Sequence, residues 1–345
     1  MRTDQPPVTD DLADREWLRE RSGDRDELRQ RLRRLPPGHP SSPVETDGTP
    51  KPPEPGLRCH ETPEGDTSRE PDSRPLNDAE HAEHVKEVRA RLDQARTEGL
   101  ATDQQHTMDL DNEQWTDDRV LMQDAIITDL YAAAGDVPCE RRAILAGGLP
   151  GAGKTTVLEQ YAGIDRSRYL TINPDEIKNE MAKRGMIPEV AGLTPMEASD
   201  LVHEESSYIA KQLALQATAS GKNIIWDITM SSRVSTESRI ADLRSAGYSR
   251  VEGIFVDIPI EVAIHRSDAR HREGHDDYRA GHGEGGRFVP AEVIAAQADP
   301  DWGSRNRKTF EQVKPHLDAW LQCDNSVDGR RPVLVDSGGR NEDKR

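Results

Sequence analysis

Short apolar segments alternate with segments of helical periodicity in the second half of the chain. Runs of hydrophobic residues bounded by turn-forming residues predict β-strands at residues 142–148, 168–175, 223–229, 251–258 and 332–337. The intervening stretches with helical spacing are residues 154–162, 196–219, 235–246, 260–273 and 290–298. Strands that alternate with helices form βα units, so the pattern predicts an α/β fold with a mostly parallel sheet.

Two helical patterns precede this alternation. The first covers residues 77–99, and we expect it to begin at Asn77 or Asp78 and to end near Gly99. The second covers residues 111–136. Its recurring apolar positions are Val120, Leu121, Ile126, Ile127, Leu130 and Tyr131.

The N-terminal region has a different composition. Residues 1 to about 78 contain 13 of the 23 prolines, together with many charged residues. Such a segment buries too little apolar surface to offset the entropy of ordering, so we predict that residues 1–76 are disordered. Within them, residues 11–35 could form a short helix that folds on a partner, or only a charged and fluctuating helix.

Composition and charge exclude several classes of protein. The net charge of −18 argues against non-specific coating of nucleic acid, and no apolar run reaches the roughly 20 residues of a membrane span. The acidic N-terminus makes a secretory signal unexpected. Cys59, Cys139 and Cys323 are far apart and odd in number, which suggests a reducing, cytoplasmic location without disulfides.

A phosphate-binding motif follows the strand at 142–148. Residues 148–155 match G-x-x-x-x-G-K-[ST] between an apolar strand and a helix, the setting that makes this pattern specific for a nucleoside triphosphate. We expect Lys154 to reach the β- and γ-phosphates and the Thr155 hydroxyl to bind Mg²⁺. ATP is the expected nucleotide, because no N-K-x-D base-reading element follows. The expected nucleotide-binding residues are Gly148, Leu149, Pro150, Gly151, Ala152, Gly153, Lys154, Thr155 and Thr156.

A carboxylate follows the second predicted strand. Asp175 lies 175 − 154 = 21 residues after Lys154, at the end of a strand whose carboxyl edge should adjoin the phosphates. It could accept a proton from an attacking hydroxyl. It could also cap the helix that begins there, and both roles are compatible.

These motifs together resemble the zeta-toxin family. The segments GGLPGAGKTT, NPDEIK and NIIWDIT, with later arginines, are similar to that family across roughly residues 108–337. The resemblance implies a P-loop three-layer sandwich that phosphorylates the 3′-hydroxyl of UDP-N-acetylglucosamine, with Asp175 as the catalytic base. Family members often have Asp-x-Asp at this motif, whereas this chain has the uncharged Asn173 at the first position.

Other candidate site residues lie on neighbouring elements. Asp227 and Thr229 end the strand at 223–229, where an acidic residue could bind Mg²⁺, contact substrate as the resemblance suggests, or cap the next loop. The helix at 196–219 has polar residues that could form a solvated face. By resemblance, Glu205 is the candidate there for a substrate-binding carboxylate.

An arginine-rich segment is the expected lid over the nucleotide. Arg266 and Arg270 are one helical turn apart, and Arg287 follows a Gly-rich loop that could close over ATP. The resemblance implies two clamping arginines, which correspond best to Arg270 and Arg287, with Arg272 as the alternative to Arg270. Zinc is not expected there, because no Cys or third fixed ligand accompanies the histidines His265, His271, His275 and His282.

The expected domain plan is a disordered region at 1–76, a helical extension at 77–107, a kinase domain at 108–337 and a disordered tail at 338–345. The expected activity is a UDP-N-acetylglucosamine kinase that acts as a toxin. An antibiotic or a polynucleotide 5′ end is the alternative acceptor, and an NTP-dependent switch is the alternative class. The expected partner is a small helical antitoxin. Residues 77–99 could instead restrain the kinase in cis, or they could be a plain solubilising extension.

Overall fold

The computed structural model describes residues 74–109 and 113–339. The predicted disorder of residues 1–76, with the helical island within it, lies outside the described residues except at 74–76. The predicted tail begins too early, because the last strand continues to Gly339. No helix of the described residues is long and apolar enough to cross a membrane.

Three helices and a short hairpin precede the phosphate loop. They are helix α1 (Asp78–Thr97), helix α2 (Thr102–Gln105), strand β1 (Thr107–Asp109), strand β2 (Gln114–Trp115) and helix α3 (Asp117–Ala133). Asn77 caps α1 by accepting hydrogen bonds from the backbone N–H groups of Ala79 and Glu80, and Glu80 completes a capping box. The second predicted helix begins at Asp117, later than expected, because Gln114 and Trp115 belong to β2.

A six-stranded sheet forms the centre of the molecule. Its strands are β3 (Arg142–Gly147), β4 (Leu170–Ile172), β5 (Ile224–Asp227), β6 (Arg250–Asp257), β9 (Ala319–Asp324) and β10 (Val333–Gly339). A separate hairpin pairs β7 (Ala298–Asp299) with β8 (Gly303–Ser304). The strand order is β10-β9-β6-β3-β5-β4, and all neighbours are parallel except β9 and β10. This confirms the predicted α/β class with a mostly parallel sheet.

Helices cover both faces of the sheet. They are α4 (Lys154–Gln160), α5 (Pro174–Lys183), α6 (His203–Ser220), α7 (Arg233–Ser245), α8 (Ile260–Arg279), α9 (Ala291–Ala295) and α10 (Arg305–Val313). On β3, Ile144 and Ala146 belong to one core cluster, whereas Ala143 and Leu145 belong to the other. Because successive strand residues point to opposite faces, these two clusters are the two sides of a three-layer sandwich.

Strand β9 and helix α10 were missed by the sequence analysis. Strand β9 contains the polar residues Gln322 and Asp324, so it shows neither an apolar run nor a clean alternation. Gln322 is buried because its side-chain oxygen accepts a hydrogen bond from Lys314 Nζ, at 3.2 Å. That partner comes from a short 3₁₀ turn (Lys314–His316), which local periodicity does not reveal.

Helix α1 shares the core of the sandwich. Its buried residues Val88, Leu92 and Ala95 belong to the same cluster as residues of α6 and α7. The predicted boundary between extension and kinase domain, at 107/108, falls inside strand β1. The helical extension therefore packs as part of the folded unit.

Candidate active site

The phosphate loop connects β3 to α4 through a backbone that only glycine can adopt at two positions. Gly148 has φ +142°, and a Cβ there would lie 2.4 Å from the carbonyl oxygen of Val256. Gly153 is the N-cap of α4 in the left-handed region, with φ +80°. Thr155 and Thr156 are exposed on the first turn of α4, whereas Leu149 and Ala152 are buried and anchor the loop. A glycine-rich turn that opens a helix can bind an anion through backbone N–H groups and the helix N-terminus, although the N–H of Ala152 donates to the Leu149 carbonyl oxygen at 3.1 Å.

Lys154 connects this loop to the neighbouring strand. Its Nζ lies 3.4 Å from the carbonyl oxygen of Gly148 and 3.3 Å from Oδ1 of Asp227, the last residue of β5. Burial raises the pKa of Asp227, and the Lys154 ammonium opposes that rise. Parallel pairing of β3 with β5 brings this cation and this carboxylate to one edge of the sheet.

Asn173 holds the start of helix α5. Its Oδ1 accepts a hydrogen bond from the backbone N–H of Asp175 at 2.9 Å, and its Nδ2 donates to Asp227 Oδ2 at 3.2 Å. Asn173 is thus the N-cap, which corrects the alternative that Asp175 caps this helix. Asp175 lies in the first turn with a partly exposed carboxylate, which makes an ion pair with Arg287.

A continuous series of contacts therefore joins the phosphate loop to the predicted base. It runs from Lys154 to Asp227, then to Asn173, and then to Asp175 with its partner Arg287. These residues are up to 287 − 154 = 133 positions apart in the sequence. The predicted residues Lys154, Asp175, Asp227 and Arg287 are all brought together.

Lys178 and His203, two groups that interact with Asp175, were not recognised as site residues in the sequence. Lys178 is buried one turn further along α5, and desolvation lowers its pKa to about 8 although the nearby Asp175 opposes the change. Desolvation and the Lys178 ammonium lower the pKa of His203, and Glu204 and Asp175 oppose that shift. Perturbed cations next to a carboxylate are typical of functional sites. The signal available was Lys178 itself, three residues after Asp175 in the NPDEIK segment.

Glu205 has a different environment from the one expected. It is fully buried, and its oxygens accept hydrogen bonds from Arg119 Nε at 2.7 Å, Arg119 Nη2 at 2.8 Å and Gln123 Nε2 at 2.7 Å. Those donors lie on α3, so this pair holds α3 against α6. Its oxygens are occupied by protein donors, which corrects the expectation of a substrate contact. The adjacent Glu204 is exposed and faces the Lys178 and His203 side.

The lid arginines have separate partners. Arg266 contacts the phosphate loop, with Nη1 3.3 Å from the carbonyl oxygen of Gly151, and also donates to the carbonyl oxygen of Asn325 at 2.8 Å. Arg270, the predicted clamp, lies one turn further along α8 and is exposed. Arg272, its alternative, instead pairs with Asp78 at the start of α1, at 2.7 Å. Arg266 was not chosen from the sequence, which gave no sign that α8 packs against the loop.

Thr229 lies just beyond β5 and is exposed. Its hydroxyl donates to Ser231 Oγ at 3.1 Å, and its carbonyl oxygen accepts a hydrogen bond from Asn306 Nδ2 at 2.7 Å. The next residue, Met230, is buried with φ +58°, so the chain turns sharply here. This turn leaves the Thr229 side chain at the same sheet edge as Asp227.

Comparison with known proteins agrees with this geometry. The model of the zeta toxin family matches residues 137–339, which is more than half of the chain. The chain belongs to the zeta toxin family. The matched region begins just before β3 and ends with β10, so it contains the whole six-stranded sheet, the phosphate loop, Asp175, Asp227 and Arg287. A search of curated proteins found no significant match.

Solved structures show the same fold. The AvrRxo1-ORF1:AvrRxo1-ORF2 complex with sulphate ions has a TM-score of 0.52 at 17% identity, covering 70% of this chain and 80% of that chain. The same complex with ATP has a TM-score of 0.52 at 19% identity, covering 69% and 76%. The PezAT toxin–antitoxin system of Streptococcus pneumoniae has a TM-score of 0.44 at 16% identity, covering 65% and 81%. The two likenesses with a TM-score of 0.52 show that the chain shares its fold with the AvrRxo1-ORF1:AvrRxo1-ORF2 complex.

Proposed function

We propose that this zeta toxin transfers the γ-phosphoryl group of ATP to a hydroxyl of a small molecule. The observation that supports this most directly is the series of contacts from Lys154 through Asp227 and Asn173 to Asp175. It joins a phosphate-binding loop to a partly exposed carboxylate, as a kinase requires and a simple nucleotide switch does not.

The phosphate loop fits a triphosphate. Gly148 and Gly153 have backbone conformations that bring N–H groups to one concave surface, and Lys154 lies beside them. Thr155 and Asp227 carry oxygen atoms of the kind that Mg²⁺ prefers, which supports them as its proposed ligands. When bound, Mg²⁺ would neutralise charge on the β- and γ-phosphates.

Four side chains of the protein would have separate roles in the phosphoryl transfer. Asp175 would orient the acceptor hydroxyl and accept its proton, and Lys178 beside it would supply positive charge. Arg287, which pairs with Asp175 in the free protein, would exchange this carboxylate for the transferring phosphoryl group. Arg270 is proposed as the second clamp, on the exposed turn of α8 after Arg266.

The acceptor is proposed to be the 3′-hydroxyl of UDP-N-acetylglucosamine. Family membership supports this choice, and Asp227, Thr229 and Glu204 are the exposed or half-buried groups at the acceptor side of the site. The uncharged Asn173 donates a hydrogen bond where many relatives have a carboxylate, so this residue is the first candidate for any change in acceptor.

A protein partner is also proposed. An uncontrolled kinase of this family would harm its host, so we expect a small helical antitoxin that covers the nucleotide site. Helix α1 could restrain the enzyme in cis, since Arg272 of α8 pairs with Asp78 and Arg96 of α1 pairs with Asp200. These contacts go to the lid helix and a neighbouring turn.

The test is ATP consumption by the full chain with and without UDP-N-acetylglucosamine, with mass spectrometry of the product. We expect acceptor-stimulated turnover and a singly phosphorylated sugar nucleotide, both lost in Asp175→Asn. Asp129→Asn is the matched control, because Asp129 is an exposed aspartate paired with Arg184 on the molecular surface. ATP binding without stimulation would contradict the proposed acceptor, and absence of ATP binding would contradict the kinase.

A further inference from the structure

Three histidines converge on one buried carboxylate oxygen at the junction of α1 and α8. His84 Nε2, His271 Nε2 and His275 Nδ1 lie 2.6, 2.9 and 3.0 Å from Oε1 of Glu197. Glu197 belongs to a 3₁₀ turn (Glu197–Val202), so the group comes from three separate elements. The i,i+4 spacing of His271 and His275 on α8 is visible in the sequence, but His84 and Glu197 are brought there only by folding.

This arrangement exceeds what hydrogen bonding alone explains. A carboxylate oxygen has two lone-pair sites, yet three imidazole nitrogens approach Glu197 Oε1. Its other oxygen is already occupied, because Oε2 accepts the backbone N–H of Thr194 at 2.8 Å. The carboxylate oxygen therefore faces three imidazole nitrogens from two separate helices, α1 and α8.

The surroundings are those of a closed site. Glu197 and His271 are essentially inaccessible, and the side chains of His84 and His275 are each only 12% exposed. Nδ1 of His271 and Nδ1 of His81 are buried and have no hydrogen-bond partner among the described residues. His81 Nε2 lies 3.0 Å from Asp268 Oδ1, which adds a second imidazole–carboxylate pair beside the first.

We propose that His84, Glu197, His271 and His275 bind a Zn²⁺ ion that fastens α1 to α8. Three imidazoles and one carboxylate are the donor set and number of a tetrahedral zinc site. Metal–ligand bonds of 2.0–2.1 Å place tetrahedral ligands roughly 3.3 Å apart. The ligand atoms of His84, Glu197 and His275 lie within 4.8 Å of one another, and His271 Nε2, 2.9 Å from Glu197 Oε1, would move in to complete the set. The Thr194 N–H fixes the carboxylate from outside, as outer-shell partners do at metal sites.

The site has a clear structural consequence. It joins residues 84, 197 and 275, which are far apart in the chain, so one ion would close two long loops. Helix α8 also carries Arg266 and Arg270 and leads to the loop that ends in Arg287. Zinc would thus hold the segment before the kinase domain against the helix that forms the lid.

The experiment measures metal content of the full chain, expressed without a polyhistidine tag. We expect a single Zn²⁺ per chain after dialysis, and a Co²⁺-substituted protein with the intense visible bands of tetrahedral coordination. His84→Ala and Glu197→Gln should weaken zinc binding by more than about 100-fold, the upper end of the cost of losing an outer-shell partner. His265→Ala, an exposed histidine on α8, should bind zinc as the parent does.

Circular dichroism and ATP binding establish that each variant is folded. If a variant does not fold, the parent protein still tests the proposal, because its melting temperature should rise with Zn²⁺ and fall on chelation. A parent chain that retains no zinc, has an octahedral Co²⁺ spectrum or melts independently of zinc would overturn the proposal. So would zinc binding that survives in folded His84→Ala. The histidines would then form a purely hydrogen-bonded network around Glu197.

Discussion

The side-chain amide of Asn173 donates to the carboxylate of Asp227 across 3.2 Å, and its oxygen caps helix α5. One residue therefore satisfies a helix terminus and a buried acid at the edge of the sheet. An aspartate at this position could still cap the helix, but its ionised carboxylate could not donate to Asp227. The departure from the family pattern has a local electrostatic reason.

Asn173→Asp should destabilise the protein increasingly as pH rises. Burial already raises the pKa of Asp227 above 3.8, and a second carboxylate would raise the pKa of the pair further. When folding raises the pKa of an acid, the protein becomes less stable as the pH increases above the pKa that this acid has in the unfolded chain. We expect an added cost of about 1–2 kcal/mol at pH 8 and little at low pH. Thermal melts at pH 5, 6.5 and 8 measure it.

Asn173→Ala is the control for that series. It removes the cap and the hydrogen bond without adding a charge, so its cost of about 1 kcal/mol should not depend on pH. An equal loss of stability at pH 5 and pH 8 in Asn173→Asp would contradict the argument.

Lys178→Met should stabilise the protein and impair catalysis. A pKa of about 8 instead of 10.5 means that burial disfavours the charged lysine by about 3 kcal/mol in the folded state. At pH 7 the parent bears this cost and the variant does not. Between pH 8 and 10.5 the unfolded chain holds a proton that the folded chain lacks, so the stability of the parent rises with pH. The difference in stability between the parent and Lys178→Met therefore becomes smaller.

Denaturant unfolding at pH 7 and pH 9.5, with turnover measured in parallel, tests this prediction. Lys183→Met is the matched control, because Lys183 is an exposed lysine on the same helix. A variant that is less stable than the parent at pH 7 would show that Lys178 contributes favourably where it is buried.

Glu205→Ala should affect stability, whereas Glu204→Ala should affect acceptor binding. Removing Glu205 leaves the Arg119 guanidinium buried without its partner, which costs about 3–5 kcal/mol. Glu204 is exposed, so its removal should change stability by less than about 0.5 kcal/mol while raising the KM for acceptor. Unfolding curves and acceptor titrations separate the two. Equal stabilities of the two variants would contradict the conclusion that the Arg119–Glu205 pair holds α3 against α6.

Arg266→Ala and Arg270→Ala should separate loop support from phosphate clamping. Arg266 donates to Gly151 of the phosphate loop, so its loss should weaken ATP binding by about 10-fold or more and lower the melting temperature. Arg270 is exposed, and as a clamp its loss should lower turnover by about 1000-fold with an unchanged melting temperature. Single-turnover rates and ATP titrations distinguish the cases. Full turnover in Arg270→Ala would contradict the clamp role of Arg270 and leave Arg266 as the candidate for it.

Much of the fold follows from local patterns along the chain. The apolar runs around 142–148 and 251–258 and the helical stretches between them predicted a parallel sheet, because side-chain periodicity depends on neighbours in sequence. The helix start at Asn77 or Asp78 and the glycine spacing of the phosphate loop were visible for the same reason. Strand β9 was missed because its buried Gln322 depends on Lys314 for a partner.

The sequence by itself determined the phosphate loop and the position of Asp175 just after a strand, and it predicts an arginine-rich lid. Only the tertiary structure decided which neighbouring glutamate is buried, since Glu204 and Glu205 differ by one helical position and Arg119 lies 86 residues away. It also decided that His84 and Glu197 join His271 and His275. Contacts of this kind close loops of many residues, and their stability depends on desolvation and on partners that no local pattern records.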